Sequence, residues 1–201
     1  MMKRLVATAA LATLVASPTF AQSYQYNPNE GPYIGAGLGH SETDFDIGGY
    51  YRDRGYPNTN TDDSDTGYKL FVGYQFNPNF AIEAGYVDFG EFTANENGGS
   101  AKAKLSVDGF SAALVGKLPI QNGFSIFGKL GMIAWDADLN ESDNTGSSSY
   151  GEDGSDPLFG IGAEYEVERI LMRAEFERYD ISEDGDDFEI DLISASIGYR
   201  F

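Results

Sequence analysis

Side-chain polarity alternates with a period of two along much of this chain, most plainly at its C-terminal end. There Ile193, Ala195, Ile197, Tyr199 and Phe201 are apolar, while Ser194, Ser196, Gly198 and Arg200 lie between them. A strand turns successive side chains to opposite faces, so the pattern predicts a strand with one apolar face and one small or charged face. The same alternation predicts seven earlier strands. At about 33–44, Ile34, Ala36 and Leu38 oppose Tyr33, Gly35, Gly37 and Gly39, and at 67–76 Tyr68, Leu70, Val72, Tyr74 and Phe76 oppose Lys69, Phe71, Gly73 and Gln75. At 80–89, Phe80, Ile82, Ala84 and Tyr86 oppose Ala81, Glu83, Gly85, Val87 and Phe89. At 104–118, Phe110, Ala112, Leu114, Gly116 and Leu118 share a face. At 124–137, Ile126, Leu130, Met132 and Ala134 oppose Phe127, Lys129, Gly131 and Ile133. At 158–166, Phe159, Ile161, Ala163 and Tyr165 oppose Glu164. At 170–179, Met172, Ala174 and Phe176 oppose Leu171, Arg173, Glu175 and Glu177.

The segments between strands are of two kinds. Residues 45–66, 90–103, 138–156 and 180–187 are long and polar, and 77–79, 119–123 and 167–169 read as short turns. Long loops at one rim and short turns at the other are the asymmetry of barrels that cross an outer membrane. A ten-residue strand rising roughly 3.3 Å per residue and tilted about 40° spans roughly 25 Å, the height of the apolar band of such a barrel. The reading is therefore all-β: a closed eight-stranded antiparallel up-and-down transmembrane barrel with four long outer loops and three short periplasmic turns. Its apolar faces turn to lipid, with acids, bases and glycines around the axis. A soluble sandwich or lipocalin-like barrel would need the mixed charge-and-glycine face as its core, for which it is poorly suited. Glycines on that face leave room for large neighbours in a narrow lumen.

Composition narrows the compartment. Lys3 and Arg4 precede an apolar run from Leu5 to Ala16, and Ala21 closes a small-residue cleavage pattern. Residues 1–21 read as a secretory signal peptide and 22–201 as the barrel domain. The apolar run is too short to anchor in a bilayer, and nothing after it approaches the twenty residues a membrane helix needs. The net charge is −19, and loss of Lys3 and Arg4 would make it more acidic, so nucleic acid is excluded as a partner. There is no cysteine, although the compartment would permit disulfides.

Several stretches resemble the OmpA-type eight-stranded transmembrane domain, and the similarity covers nearly all the mature chain. Gly73-Tyr74-Gln75-Phe76-Asn77-Pro78 leads into Glu83-Ala84-Gly85-Tyr86, and Lys129-Leu130-Gly131-Met132-Ile133-Ala134-Trp135 is similar to that family's fifth strand. Gly162-Ala163-Glu164-Tyr165, Arg173-Ala174-Glu175-Phe176 and Tyr199-Arg200-Phe201 match its last three. The resemblance implies that the barrel-assembly machinery recognises the terminal strand through Tyr199 and Phe201. It also implies that Glu83 and Arg173 belong to a lumenal gate. Val115 stands where a lumenal lysine is usual, with Lys117 two residues on, and Ser196 stands where a glycine is usual. No peptidoglycan-binding segment follows Phe201, so wall tethering is not expected.

The candidate chemistry is a lumenal charge cluster of Glu83, Lys129, Glu164, Arg173 and Glu175, with Lys69 and Lys117 as further members. Isolated charges in a low-dielectric lumen are costly and must pair. Pairing makes either a polar plug or, if Arg173 swaps carboxylates, a narrow gated pore. The plug is the main reading, because eight strands enclose only enough space for their own side chains. The single histidine, His40, neighbours Ser41, but adjacent strand residues face opposite ways, so no catalytic residue is assigned and a lipid-modifying enzyme is a distant alternative. Asp180, Ser182, Asp184, Asp186 and Asp191 have partial calcium-loop spacing without helical flanks or a terminal glutamate, so no metal and no cofactor are assigned. The expected partners are outer-membrane lipids, lipopolysaccharide and the assembly machinery, and a monomer is expected. The expected role is structural or surface-exposed, in envelope integrity.

Overall fold

At the membrane level the long strands carry their alternation into three dimensions: exposed and buried side chains alternate along the ladders, and the exposed set there is the apolar one. A computed structural model describes residues 30–44, 59–96, 102–143, 146–183 and 186–201. The strands are β1 Gly31–Thr43, β2 Thr59–Asp62, β3 Ser64–Asn77, β4 Phe80–Glu96, β5 Lys102–Gln121, β6 Phe124–Asp143, β7 Gly146–Val167, β8 Ile170–Glu183 and β9 Asp186–Arg200. Each long strand pairs antiparallel with the next, and β9 returns to β1 from Tyr33↔Arg200 to Thr43↔Ile190, closing a ring of eight. β2 is short and extends the β3 side of the ladder along β4, from Asp62↔Thr93 to Thr59↔Glu96. Closure satisfies the backbone of every strand against a neighbour, which hydrocarbon requires because it offers no hydrogen bonds.

All three short connections are tighter than the sequence suggested, with two residues each: Pro78–Asn79, Asn122–Gly123 and Glu168–Arg169. Asn122 (φ 53°) and Gly123 (φ 81°) both take the left-handed conformation that a two-residue hairpin matched to strand twist needs. Asn77 Oδ1 accepts from the Asn79 and Phe80 amides at 2.9 and 3.0 Å, fixing the turn before β4.

At the other rim, much of what reads as loop is strand. β4 continues to Glu96 through a bulge at Phe89–Gly90, where Gly90 has φ 83°. β5 starts at Lys102, β6 reaches Asp143 and β7 begins at Gly146. The described ladders thus continue well beyond the apolar band. Ser, Asn, Gly and Asp are poor strand formers, but a strand already held in register by its membrane-level half extends its neighbour's pairing at little entropic cost. The sequence cue lies in the inward positions. Phe92 and Ala94 follow the phase shift that the bulge introduces, and Ala103, Val107, Trp135, Ile181 and Ile190 are buried too.

Polarity is inside-out at the membrane level only. Ile34, Leu70, Ile82, Leu114, Leu130, Ile161, Met172 and Ile197 are exposed to the outside. The outward apolar band ends at Leu38, Tyr68, Tyr86, Phe110, Ala134, Phe159, Phe176 and Ile193. Beyond it the outward positions are His40, Thr66, Asp88, Asp108, Asp136, Arg178 and Asp191. Inside, the outer half of the barrel is filled by an apolar core that includes Phe89, Phe92, Ile133, Trp135, Leu158, Ile181, Ile190 and Leu192. The expectation of a charged axis therefore holds for the periplasmic half and is corrected for the outer half. Where water replaces lipid outside, the ordinary arrangement returns: polar outside, apolar within.

Candidate functional site

The inward positions of β3 to β8 bring the lumenal charges together below that core. Arg173, on β8, is fully enclosed. Its Nη1 donates to Glu83 Oε1 at 2.5 Å and its Nε to Glu164 Oε2 at 2.5 Å, so one guanidinium ties β4 and β7 to β8. Glu83 also accepts from the Tyr33 hydroxyl at 2.7 Å. Lys129 on β6 lies 2.6 Å from Glu175 and 3.0 Å from both Glu83 and Glu177. Lys69 on β3 pairs with Glu175 and Glu177. Lys117 on β5 reaches Glu164 at 2.8 Å. All five predicted residues, Glu83, Lys129, Glu164, Arg173 and Glu175, thus lie in one network. Lys69 and Lys117 complete it together with Glu177, an inward residue not singled out beforehand although its parity matches Glu175. Lys117, two residues from Val115, supplies the cation that β5 lacks at that earlier position.

The network is electroneutral: Lys69, Lys117, Lys129 and Arg173 face Glu83, Glu164, Glu175 and Glu177. Balance matters here because any surplus charge would be left unscreened in a medium of low dielectric. Aromatic rings make a further set of contacts that the sequence did not reveal. The Arg173 guanidinium carbon stands 4.8 Å from the Phe71 ring centroid, 5.0 Å from Phe127 and 5.3 Å from Tyr33, distances at which a cation is attracted to a ring face. These rings fit because each lies across from a glycine. Gly73 pairs with Tyr33, Gly35 with Phe71, and Gly162 with Phe127. A Cβ at any of the three would overlap the ring beside it. Trp135 packs over Gly154 in the same way and donates to Asp156 Oδ2 at 2.7 Å.

Nearer the periplasmic mouth, buried Arg200 makes a second bridge. Its Nε and Nη2 donate to the two oxygens of Glu166 at 2.8 and 3.0 Å. This pair was not predicted, although Arg200 and Glu166 both stand at inward positions. Tyr199 and Phe201, the residues proposed as an assembly signal, sit on the outer face at the periplasmic rim, with ring centroids 5.3 Å apart.

Ser41 is buried, and its Oγ donates to the Phe89 carbonyl at 2.5 Å, while His40 faces outward, so the two do not meet. Of the partial calcium spacing, residues 184–185 lie outside those described, and Asp191 is held by Arg178 through two hydrogen bonds of 2.8 and 2.7 Å. Among the described residues, no group of three or more acids, histidines or cysteines is arranged to hold a metal ion. No helix of the described residues is long and apolar enough to cross a membrane, which says nothing of strands.

Known proteins place this architecture. The chain is 31% identical over 206 residues to outer membrane protein A of Escherichia fergusonii, covering 96% of this chain and 55% of that protein. It is 30% identical to outer membrane protein A of Salmonella typhi over 205 residues, with the same coverage. It thus spans about half the length of these relatives. Among solved structures, Neisserial surface protein A superimposes with a TM-score of 0.56 at 14% identity, covering 85% of this chain and 97% of that one. The outer membrane protein OprG of Pseudomonas aeruginosa gives 0.51 at 18% identity, covering 86% and 97%. At such identities the structures speak for the fold alone. The bilayer this barrel crosses is a bacterial outer membrane. Residues 28–201 match the family model of the OmpA-like transmembrane domain, and the chain belongs to that family.

Proposed function

We propose that the protein is a sealed outer-membrane barrel with a structural role in the envelope, presenting its extended outer ladders at the cell surface. The observation that carries this reading is the stacking of two different closures along one axis. The electroneutral network around Arg173 fills the periplasmic half, and the apolar core from Phe89 and Ile133 to Ile190 fills the outer half. A gate that worked by moving Arg173 between carboxylates would open onto an apolar septum, which excludes ions by dewetting. Residues 1–21 act as the export signal, Tyr199 and Phe201 mark the last strand for the assembly machinery, and the partners are lipid and lipopolysaccharide. The test is planar-bilayer recording of the folded full chain. Wild type and Arg173→Ala are both expected to show no discrete conductance, and stepwise openings in wild type, or openings gained by Arg173→Ala, would overturn the reading.

A further inference from the structure

The ring of strands is closed at the membrane level and opens above it. β7 pairs with β8 only from Val167↔Ile170 to Leu158↔Tyr179, while β8 goes on along β9 to Glu183↔Asp186. The outer part of β7, Gly146 to Pro157, is paired with β6 alone among the described residues. Glu166 donates its amide to the Gly123 carbonyl at 2.8 Å, and the β6–β7 register runs from there without a shift to Asp143↔Gly146. Even-numbered residues of β7 therefore turn their backbone groups to β6, and odd-numbered ones turn theirs to the side that β8 leaves. The amides of Ser147, Ser149, Gly151, Asp153 and Ser155 line that open edge. Pro157, which has no amide, stands where the two strands part. An edge of this kind is a template for one more strand.

The edge is acidic. On the outer face, Asp88, Asp108, Asp136 and Asp153 are successive cross-strand neighbours, and this row of four carboxylates ends at the edge. Farther out, Asp138 pairs with Gly151, and its Oδ1 lies 3.1 Å from where a Cβ of Gly151 would stand, so a second carboxylate overhangs the edge strand. Glu152, on the opposite face, is exposed. Like charges directly opposite one another destabilise a sheet, and a cation as the fifth member of the row would relieve them. The barrel's own cations are placed elsewhere. β6 and β7 carry none beyond Lys129, and Arg178 on β8 is held by Glu189 and Asp191. Lys102 and Lys104 stand two strands away on β5, level with Ser147 and Ser149 rather than Asp153, and Lys104 pairs with Glu91. A second copy in the same membrane points the same way, so its β7 would lie parallel to this one with like acids at the same height. Charge therefore favours a foreign strand that bears cations.

We infer that the outer edge of β7 takes up an extended peptide segment rich in Lys or Arg, adding it as a further strand with its cations beside Asp153 and Asp138. Backbone hydrogen bonds along the edge supply the attachment, and the carboxylates select the partner. Residues 146–157 rise roughly 30 Å beyond the acyl band at a strand tilt of about 40°, clear of the membrane. This inference goes beyond the sealed-barrel reading and stands whether or not the lumen conducts. The experiment is calorimetric titration of the folded full chain, in zwitterionic micelles at physiological salt, with the all-L peptide acetyl-(Thr-Lys)5-amide. Two further peptides are controls: its alternating L,D form, which keeps the charge but not the pleated backbone, and acetyl-(Thr-Glu)5-amide. Saturable binding of the all-L lysine peptide is expected, with both controls about tenfold weaker or worse. Ser149→Pro/Ser155→Pro removes two edge amides and should weaken binding about tenfold, and Glu152→Gln/Asp153→Asn should weaken it about threefold. Retained resistance to SDS before heating checks that each variant is folded. No saturable binding, equal binding of either control, or binding untouched by both double substitutions overturns the inference. So does a dimer of the chain alone, seen by sedimentation and lost in Ser149→Pro/Ser155→Pro, since the edge would then belong to a second copy.

Discussion

Replacing Arg173 by Met removes one charge from a balanced set while keeping most of the side-chain volume. Four cations then become three against four carboxylates, and the guanidinium that held Glu83 and Glu164, each at 2.5 Å, is gone. Glu83 keeps Lys129 and the Tyr33 hydroxyl, and Glu164 keeps Lys117, but one negative charge in the enclosed lumen has no counterpart. Removing one partner of a buried pair costs about 3–5 kcal/mol, most of it the penalty of the charge left behind. The origin of that cost can be checked by neutralising the surplus. Glu83 is the carboxylate to change, because Lys129 retains Glu175 and Glu177, whereas neutralising Glu164 would strand Lys117. In Arg173→Met/Glu83→Gln, at least about 2 kcal/mol of the loss should return as a coupling energy. The single tryptophan, Trp135, buried in the outer apolar core, reports unfolding by its fluorescence as urea is titrated against the protein in lipid vesicles. An Arg173→Met midpoint within about 1 kcal/mol of wild type, or a double variant as unstable as the two single losses added together, would refute the balanced-charge argument.

Lys117→Met should cost less than Arg173→Met in the same assay, because Glu164 keeps the guanidinium. The reverse order would mean that Lys117, not Arg173, organises the network. Gly73→Ala forces a methyl group into the Tyr33 ring and should destabilise by about 1–3 kcal/mol, measured as a shift in the urea midpoint; no shift would show that the ring gives way freely. Asp108, just outside the acyl band, has its carboxyl raised above the ordinary aspartate value of 3.8 by burial and by Asp136, Asp88 and Asp138, against a lowering hydrogen bond from Tyr86. A raised value in the folded state means that this group's contribution to stability is present at low pH and is lost as pH rises through the raised value. Asp108→Asn should therefore stabilise the barrel at neutral pH by up to about 1 kcal/mol, with the advantage shrinking toward pH 4. A pH-independent difference in urea midpoints would refute that assignment.

Strand number, antiparallel order, the lipid-facing set and the inward parity of Glu83, Lys129, Glu164, Arg173 and Glu175 were all legible in the chain itself. A strand's period is two residues and a bilayer admits few ways to satisfy a backbone, so polarity along the sequence maps directly onto lipid and lumen. The phase shift at Phe89–Gly90 was not legible, and the continuation of ladders through segments rich in Ser, Asn and Asp left only a sparse cue in inward residues such as Phe92, Ala94 and Ala103. Propensity there speaks for loop, and only pairing with a strand already anchored in the membrane overrides it. The partners within the lumen likewise depended on closure. Which carboxylate meets Arg173, and which ring lies over which glycine, follows from the register between strands as distant as β4 and β8, and the one-dimensional alternation carries no record of that register.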